Sequence, residues 1–296
     1  MIMRIGGIEA GGTKFVCGYG TTDGTIEHMT SFATGNPEET CRQVIEYFTE
    51  HPVDAIGIGA FGPVDVKEHS PSYGTILETP KTAWRQFPLL STLKQALGLP
   101  MKLDTDVNCA ALGEARFSTD TDRPNSLVYI TVGTGIGGGA YIENRLIHGL
   151  LHPEMGHITV QRHPHDTYGG CCPIHHDCLE GLASGPAIES RYHTLAQMLP
   201  EEHPAWSLQA YYLGQMTANL LLTLSPERII LGGGVMKQPA LLPLILEETD
   251  KRLHGYLQLP KPLNEIVTKP SFDGLSGLMG AIALGADALK EQGAAQ

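Results

Sequence analysis

Positive charge is scarce in this chain: 20 lysines and arginines stand against 32 aspartates and glutamates in 296 residues, a formal net charge of −12. A nucleic-acid or anionic-membrane partner needs a basic face to neutralise its phosphates, so neither is expected. One small polyanion is not excluded, because a few amides and a cation suffice to hold it. Long apolar runs are missing too; no stretch approaches the ~18–20 residues of a membrane span. Residues Met1–Ile8 lack the charged, apolar and cleavage regions of a secretory signal and run straight into strand-like sequence, which makes the cytoplasm the expected location. Cysteine is sparse and uneven, with six in all and three of them inside residues 171–178, unlike a disulfide framework. Cys17, Cys41 and Cys109 sit among apolar residues and read as reduced core thiols. What is present, 42% hydrophobic and 18% charged residues, is enough for a sizeable core in one large or two ordinary domains.

Residues 2–9, 13–20 and 25–33 form apolar-rich runs separated by short turns, the pattern of an antiparallel meander. Asn36 precedes Pro37, Glu38 and Glu39 as an N-cap would, and Cys41, Val44, Ile45 and Phe48 then mark one helical face. Val53–Gly59 has strand character, with glycines that suggest close approach of another backbone. Residues 63–85 have no clear period and read as a loop. Helices are expected over Pro88–Leu97 and Val107–Phe117, with a short strand at Met101–Leu103 between them. The polar connection Ser118–Asn125 is the expected boundary, giving lobes over residues 1–121 and 122–296. The second part opens like the first, with strand Leu127–Val132, a glycine turn over 133–139 and strand Ala140–Ile142. Helix Ser207–Leu224, strand Arg228–Leu231, helix Leu241–Leu253 and a last helix from Leu275 follow; the last is a candidate to pack back on the first lobe. Strand groups alternating with helices, twice over, predict a two-lobed α/β chain with a ligand crevice.

Three glycine turns could approach a phosphate. Glu9-Ala10-Gly11-Gly12-Thr13-Lys14 adds a hydroxyl and a cation to its glycines, or is an ordinary hairpin turn. Gly133-Thr134-Gly135-Ile136-Gly137-Gly138-Gly139 holds five glycines in seven residues, an entropic cost that a mere turn need not incur. It is neither a Walker loop nor a Rossmann turn. Gly232-Gly233-Gly234 ends a strand and suits an adenosine, or simply opens a helix. Asp106 lies where a strand gives way to a helix; its carboxylate could orient an attacking hydroxyl, while Asp104 or Asp106 could equally cap that helix. Glu114 is expected on the helix face or behind the site. His157, Cys172, His175 and Cys178 offer four nitrogen and sulfur donors suited to a closed tetrahedral zinc site. Cys171, His176 and Asp177 compete for the same part, and a metal-free loop is the bland alternative. His163, His165 and His203 read as exposed loop residues.

Together these residues resemble the ROK family of repressors, open reading frames and sugar kinases, over essentially the whole chain. The resemblance rests on Glu9–Lys14, Asp106–Glu114, residues 131–139, Glu154-Met155-Gly156-His157 and Cys178-Leu179-Glu180. It implies an actin-like, hexokinase-type two-lobed fold (a duplicated ribonuclease H-like motif) with a zinc-stabilised loop, and ATP with Mg²⁺ and a sugar in the cleft. Asp106 would then be the general base. Gly62, Asn108, Glu154, His157 and Glu180 would face the sugar, and His157 would also ligate zinc. Gly11, Gly12, Thr13, Lys14, Gly133, Thr134 and Gly135 would hold phosphates, with Pro186, Gly233, Gly234 and Lys237 toward the nucleotide. Glu9 stands where most members have aspartate and Thr105 where many have asparagine. These departures, with the zinc turn, Thr79–Trp84 and Gly181–Ala187, resemble the bacterial zinc-containing fructokinase branch, so fructose phosphorylated at its 6-hydroxyl is the expected reaction. Glucose, mannose or an N-acetylhexosamine is the alternative acceptor. A repressor is the remote one, since no room precedes Glu9 for a DNA-binding module. Members often dimerise, so the resemblance allows a homodimer.

Overall fold

The computed structural model describes residues 3–118 and 123–294. They form two compact units: Met1–Arg123, Arg145–Pro153 and Ser271–Gln296 make the first, Pro124–Asn144 and Glu154–Pro270 the second. The lobe boundary expected between 121 and 122 lies outside the described residues.

In the first unit, β1 (Arg4–Ala10), β2 (Lys14–Thr21) and β3 (Ile26–Ala33) form the antiparallel meander foreseen from sequence. Asn36 caps α1 (Pro37–Glu50), its side chain accepting from the Glu39 N–H at 2.8 Å. Next come β4 (Ala55–Ala60), α2 (Leu89–Leu97), β5 (Met101–Thr105) and α3 (Asp106–Phe117). The sheet order is β3-β2-β1-β4-β5, with β1, β4 and β5 parallel. Side chains alternate across this sheet as strand geometry requires. Ile8, Phe15, Ile56 and Ile58 enter the core that also contains Val44 and Phe48 of α1 and Leu93 of α2. Ile5, Val16 and Ala55 belong to a separate cluster with Leu278, Ile282 and Ala286.

The second unit carries β6 (Leu127–Val132), β7 (Ile136–Ile142), β8 (Arg145–Leu146), β9 (Arg228–Gly232) and β10 (Val267–Thr268) in the order β10-β9-β6-β7-β8. Read from its other edge, this order repeats that of the first sheet, and again the second strand runs antiparallel to the first while the fourth runs parallel to it. The echo between the halves is therefore a true repeat of topology. Its helices are α4 (Leu179–Ala183), α5 (Gly185–Tyr192), α6 (Ala205–Thr223), α7 (Leu241–Leu253) and α8 (Leu263–Ile266).

The last helix, α9 (Ser276–Ala294), belongs to the first unit. It lies so close to β4 that a Cβ on Gly57 would meet the Ala281 carbonyl oxygen at 1.9 Å. The glycines of Val53–Gly59 thus do what the sequence suggested, admitting another backbone. Residues 63–85 are more ordered than a loop reading allows. Val64 bridges Ile76, and a 3-10 turn at Thr82–Trp84 buries Trp84. Aromatic burial, invisible to a period test, fixes this excursion.

Candidate functional site

In the first unit, register brings three chain segments to one sheet end. Ala10 lies opposite Ala60, and Ala60 opposite Thr105, so the parallel strands β1, β4 and β5 stop together. Beyond their carboxyl ends lie Gly11–Lys14, Gly62 and Asp106, where open α/β sheets present ligand-binding loops. The Gly11 N–H donates to the Lys14 carbonyl at 3.0 Å, and the Gly11 carbonyl accepts from Thr34 Oγ1 at 2.7 Å. A Cβ on Gly11 would sit 2.7 Å from that Lys14 oxygen, so the turn requires glycine there. Thr13 and Lys14 are exposed, and Gly62, joined to Pro63 by a cis peptide, is half-buried. Glu9 is drawn in behind the turn, its carboxyl against Gly277; burial raises its pKa, and the nearby Lys14 partly offsets this.

Asp106 opens α3 half-buried, with Oδ1 accepting from the Val107 N–H at 2.9 Å. Neither aspartate caps the helix. Thr105 is the N-cap, its hydroxyl accepting from the Asn108 N–H at 3.1 Å. A threonine in the cap frees the adjacent carboxylates for other work. Asp104 is buried: Oδ1 accepts from the Thr105 N–H at 2.7 Å and from Asn108 Nδ2 at 2.8 Å. Its Oδ2 meets His148 Nε2 at 2.7 Å. Asn108 is fully buried with its amide turned to Asp104. Glu114 faces inward from α3, accepting from the Ser271 N–H at 3.1 Å and from Ser276 Oγ at 2.6 Å. The sequence did not flag His148 or His152. The latter accepts the Val64 N–H on Nε2 at 3.2 Å, an assignment that puts its proton on Nδ1, facing the Pro153 carbonyl. Histidine in a short irregular segment carries no periodic signal of such contacts.

In the second unit, β6 and β9 are parallel neighbours, with Thr131 opposite Gly232, so the turns that follow them lie side by side. The Gly133 N–H donates to the Gly135 carbonyl at 2.8 Å, and the Gly133 carbonyl accepts from the Gly185 N–H at 2.7 Å. Gly233 adopts φ +92°, and a Cβ there would meet the Val132 carbonyl oxygen at 2.4 Å. Gly133–Gly135, the start of α5 with exposed Pro186, and Gly233-Gly234 are thereby gathered at one place. Thr134 is exposed at the hairpin tip; Lys237 is exposed at the end of a 3-10 turn, Val235–Lys237. Only part of the expected glycine turn is a turn. Gly137–Gly139 lie within β7, where a Cβ on Gly138 would come 2.6 Å from Met155 Sδ. Some of those glycines therefore serve packing.

Glu180 on α4 turns its carboxylate to the hairpin, with Oε2 accepting from the Ile136 N–H at 2.9 Å. Glu154 is exposed just ahead of the 3-10 turn Met155–His157, and its carbonyl accepts from the His157 N–H at 3.0 Å.

His157, Cys172, His175 and Cys178 converge, with one donor atom from each lying within 4.8 Å of all the others. His157 Nδ1 is 3.8 Å from Cys172 Sγ and 3.5 Å from Cys178 Sγ, while His175 Nδ1 is 3.8 Å from Cys172 Sγ. Bonds of about 2.0 Å to nitrogen and 2.3 Å to sulfur at tetrahedral angles put such donors roughly 3.5 Å apart, so the set fits zinc. Burial pushes the Cys178 thiol up to about 11, a cost that a bound cation removes by holding the thiolate. Cys171, a competing donor, instead approaches Ser184 Oγ at 3.7 Å. Cys17, Cys41 and Cys109 are buried free thiols, as read from their surroundings. Among the other histidines, His163 is not an exposed loop residue but packs edge-on against Tyr211 at 4.7 Å. No helix among the described residues is long and apolar enough to cross a membrane.

Known proteins resemble this chain over nearly its whole length. The ROK family pattern matches residues 5–288. A Bacillus subtilis protein is 47% identical over 293 residues, spanning 98% of each chain. The fructokinase of Pediococcus pentosaceus is 43% identical over 288 residues, covering 97% of this chain and 99% of its own. The crystal structure of a ROK family glucokinase from Streptomyces griseus, in complex with glucose and AMPPNP, superposes with a TM-score of 0.77. It is 27% identical and covers 97% of this chain and 100% of that one.

Proposed function

Because the chain belongs to the ROK family, we propose that it is an ATP-dependent fructokinase, transferring the γ-phosphoryl group to the 6-hydroxyl of D-fructose. The observation that carries this reading is the common ending of β1, β4 and β5, which sets a glycine turn and the Asp106 carboxylate at one sheet end. Phosphoryl transfer asks the protein for positioning and charge stabilisation, plus one group to take the acceptor proton. Asp106 is the general base: it orients the 6-hydroxyl and accepts its proton as the oxygen attacks phosphorus. Gly11, Gly12, Thr13 and Lys14 are assigned to phosphate oxygens through amides, a hydroxyl and a cation, and Gly133, Thr134 and Gly135 are assigned to phosphate through amides and a hydroxyl. Pro186, Gly233, Gly234 and Lys237 border the nucleoside. Mg²⁺ bound with ATP supplies charge neutralisation on the phosphates.

Gly62, Glu154, His157 and Glu180 are assigned to the sugar, the carboxylates accepting from hydroxyls. Asn108 serves the same site by holding Asp104 and the start of α3. Zinc bound by His157, Cys172, His175 and Cys178 supplies a structural cross-link that fixes the His157 ring. With both imidazoles directing Nδ1 to the cluster, His157 keeps Nε2 for a second partner. Dependence on ATP and wholly free cysteines suit a cytoplasmic enzyme. Fructose as acceptor is supported by the fructokinase relatives, among them that of Zymomonas mobilis at 39% identity over 288 residues. The test is a coupled ADP-release assay with fructose, mannose, glucose and N-acetylhexosamines under saturating Mg·ATP. Fructose is expected to give the highest kcat/KM; glucose ahead of fructose would reject the acceptor assignment, and no turnover with any hexose the whole reading.

A further inference from the structure

The segment Thr79–Trp84 has so far been given no part. Its tryptophan is one of the most enclosed side chains in the protein, 1% exposed. The Trp84 ring stacks on Phe15 with centroids 5.5 Å apart, meets Phe61 edge-on at 5.6 Å, and donates its Nε1–H to the Gly35 carbonyl at 3.0 Å. Phe15 directly follows the Gly11–Lys14 turn, and Gly35 directly follows Thr34. Thr34 itself donates its N–H to the Thr13 carbonyl at 3.0 Å and its hydroxyl to the Gly11 carbonyl at 2.7 Å. Trp84 is thus anchored to both flanks of the turn. The Trp84 N–H in turn donates to the Lys81 carbonyl at 2.8 Å, which fixes Lys81 over the same place.

There the Lys81 side chain crosses the bare α-carbon of Gly12, with Cε 3.2 Å from where a Cβ would stand. Lys81 is half-buried, and its ammonium makes no ion pair or hydrogen bond among the described residues. A half-buried ammonium left without a carboxylate partner, in a chain where acidic groups outnumber basic ones by 12, is free to receive an anion from outside the chain.

We propose that Lys81 is a catalytic residue whose ammonium binds oxygens of the phosphoryl group being transferred. The assignment rests on reading Gly11–Lys14 as a phosphate turn. The choice of the γ-phosphate follows from the strand ends: this turn shares its sheet end with Asp106, and a base that serves the attacking hydroxyl must lie beside the phosphorus attacked. In the transition state charge spreads over three equatorial oxygens, and a lysine ammonium is a compact point charge able to follow it. The β- and α-phosphates lie farther from the acceptor and gain less from it.

The experiment compares Lys81→Met and Lys81→Arg with wild type, measuring Mg·ADP and Mg·AMPPNP affinities by calorimetry alongside steady-state rates. Lys81→Met is expected to weaken AMPPNP about tenfold or more, as for one charge-assisted contact, and to leave ADP within about twofold. Its kcat should fall by roughly a hundredfold, and Lys81→Arg should recover much of the AMPPNP affinity. Equal losses for both nucleotides, or no loss in kcat, would overturn the proposal. Should Lys81→Met fold poorly, Lys81→Arg and Lys81→Gln carry the same comparison, and AMPPNP affinity that ignores the charge rejects it. Gly12→Val separates the underlying reading. If it leaves nucleotide affinity and kcat untouched, the turn does not hold phosphate; if it weakens AMPPNP while Lys81→Met does not, only the lysine's part falls.

Discussion

The His148 imidazole meets the Asp104 carboxylate at 2.7 Å, two residues ahead of Asp106, and ties the segment 145–153 to the start of α3. The hydrogen bond to Asp104 raises the His148 pKa, against a smaller lowering by burial; Glu68 adds to the rise. A raised pKa in the folded state means stabilisation that is complete below the ordinary histidine value of about 6.5 and lost as pH climbs through the folded value. His148→Gln should therefore cost most at pH 6 and progressively less toward pH 9, read as the difference in melting temperature from wild type. With the His148 side chain 36% exposed, solvent screening limits the ion-pair part to about 1 kcal/mol or less. A pH-independent difference would refute the charged pair.

Replacing Asp106 by asparagine keeps the shape of the α3 start, because the Thr105 cap and the Asp104 bonds do not involve it. Turnover should fall about 10²–10⁴-fold, the span associated with losing a general base. Fructose and nucleotide binding, followed by calorimetry, should stay near wild type. Near-normal kcat would remove Asp106 from the chemistry.

Stripping metal with a chelator should loosen the chain between His157 and Glu180. The expected signs are faster proteolysis there, a lower melting temperature and a raised KM for fructose, all reversed by zinc. Elemental analysis should find about one zinc per chain and none in Cys178→Ser, since a closed structural site needs all four donors. A verified metal-free protein that binds sugar normally would contradict the role given to the cluster.

Glu114 is 1% exposed and receives the Ser271 N–H and the Ser276 hydroxyl, clasping α3 to the start of α9. Glu114→Ala removes the carboxylate acceptor of the Ser271 N–H and of the buried Ser276 hydroxyl, which keeps only a long 3.5 Å contact to the Phe272 carbonyl, a loss of about 1–3 kcal/mol in denaturant unfolding. Glu114→Gln, which keeps an acceptor oxygen, should cost roughly half as much. An alanine variant as stable as wild type would show that water replaces the clasp.

The meander, the Asn36 cap and the buried face of α1 were legible because they are local, depending on neighbours within one turn or one strand pair. The convergence of the candidate metal donors was legible because three of them fall within seven residues, Cys172–Cys178. Partnerships set by the fold were not. Asp104 finds His148 forty-four residues away, and no local pattern links them. The glycine run 133–139 shows how composition misleads: Gly133 and Gly135 shape the turn, whereas Gly138 lies in β7 to admit Met155. Burial and turn geometry select the same residue, and a sequence cannot say which acted.

The place of α9 bears on how the protein is made. Ile5, Val16 and Ala55 cover their apolar faces with Leu278, Ile282 and Ala286, which are made only after residues 124–270. Until Ser276–Ala294 emerges, the first unit lacks one wall, so a nascent chain carries an open apolar sheet throughout synthesis of residues 124–270. Truncation before Ser276 should therefore yield not a shortened enzyme but a chain retained by chaperones.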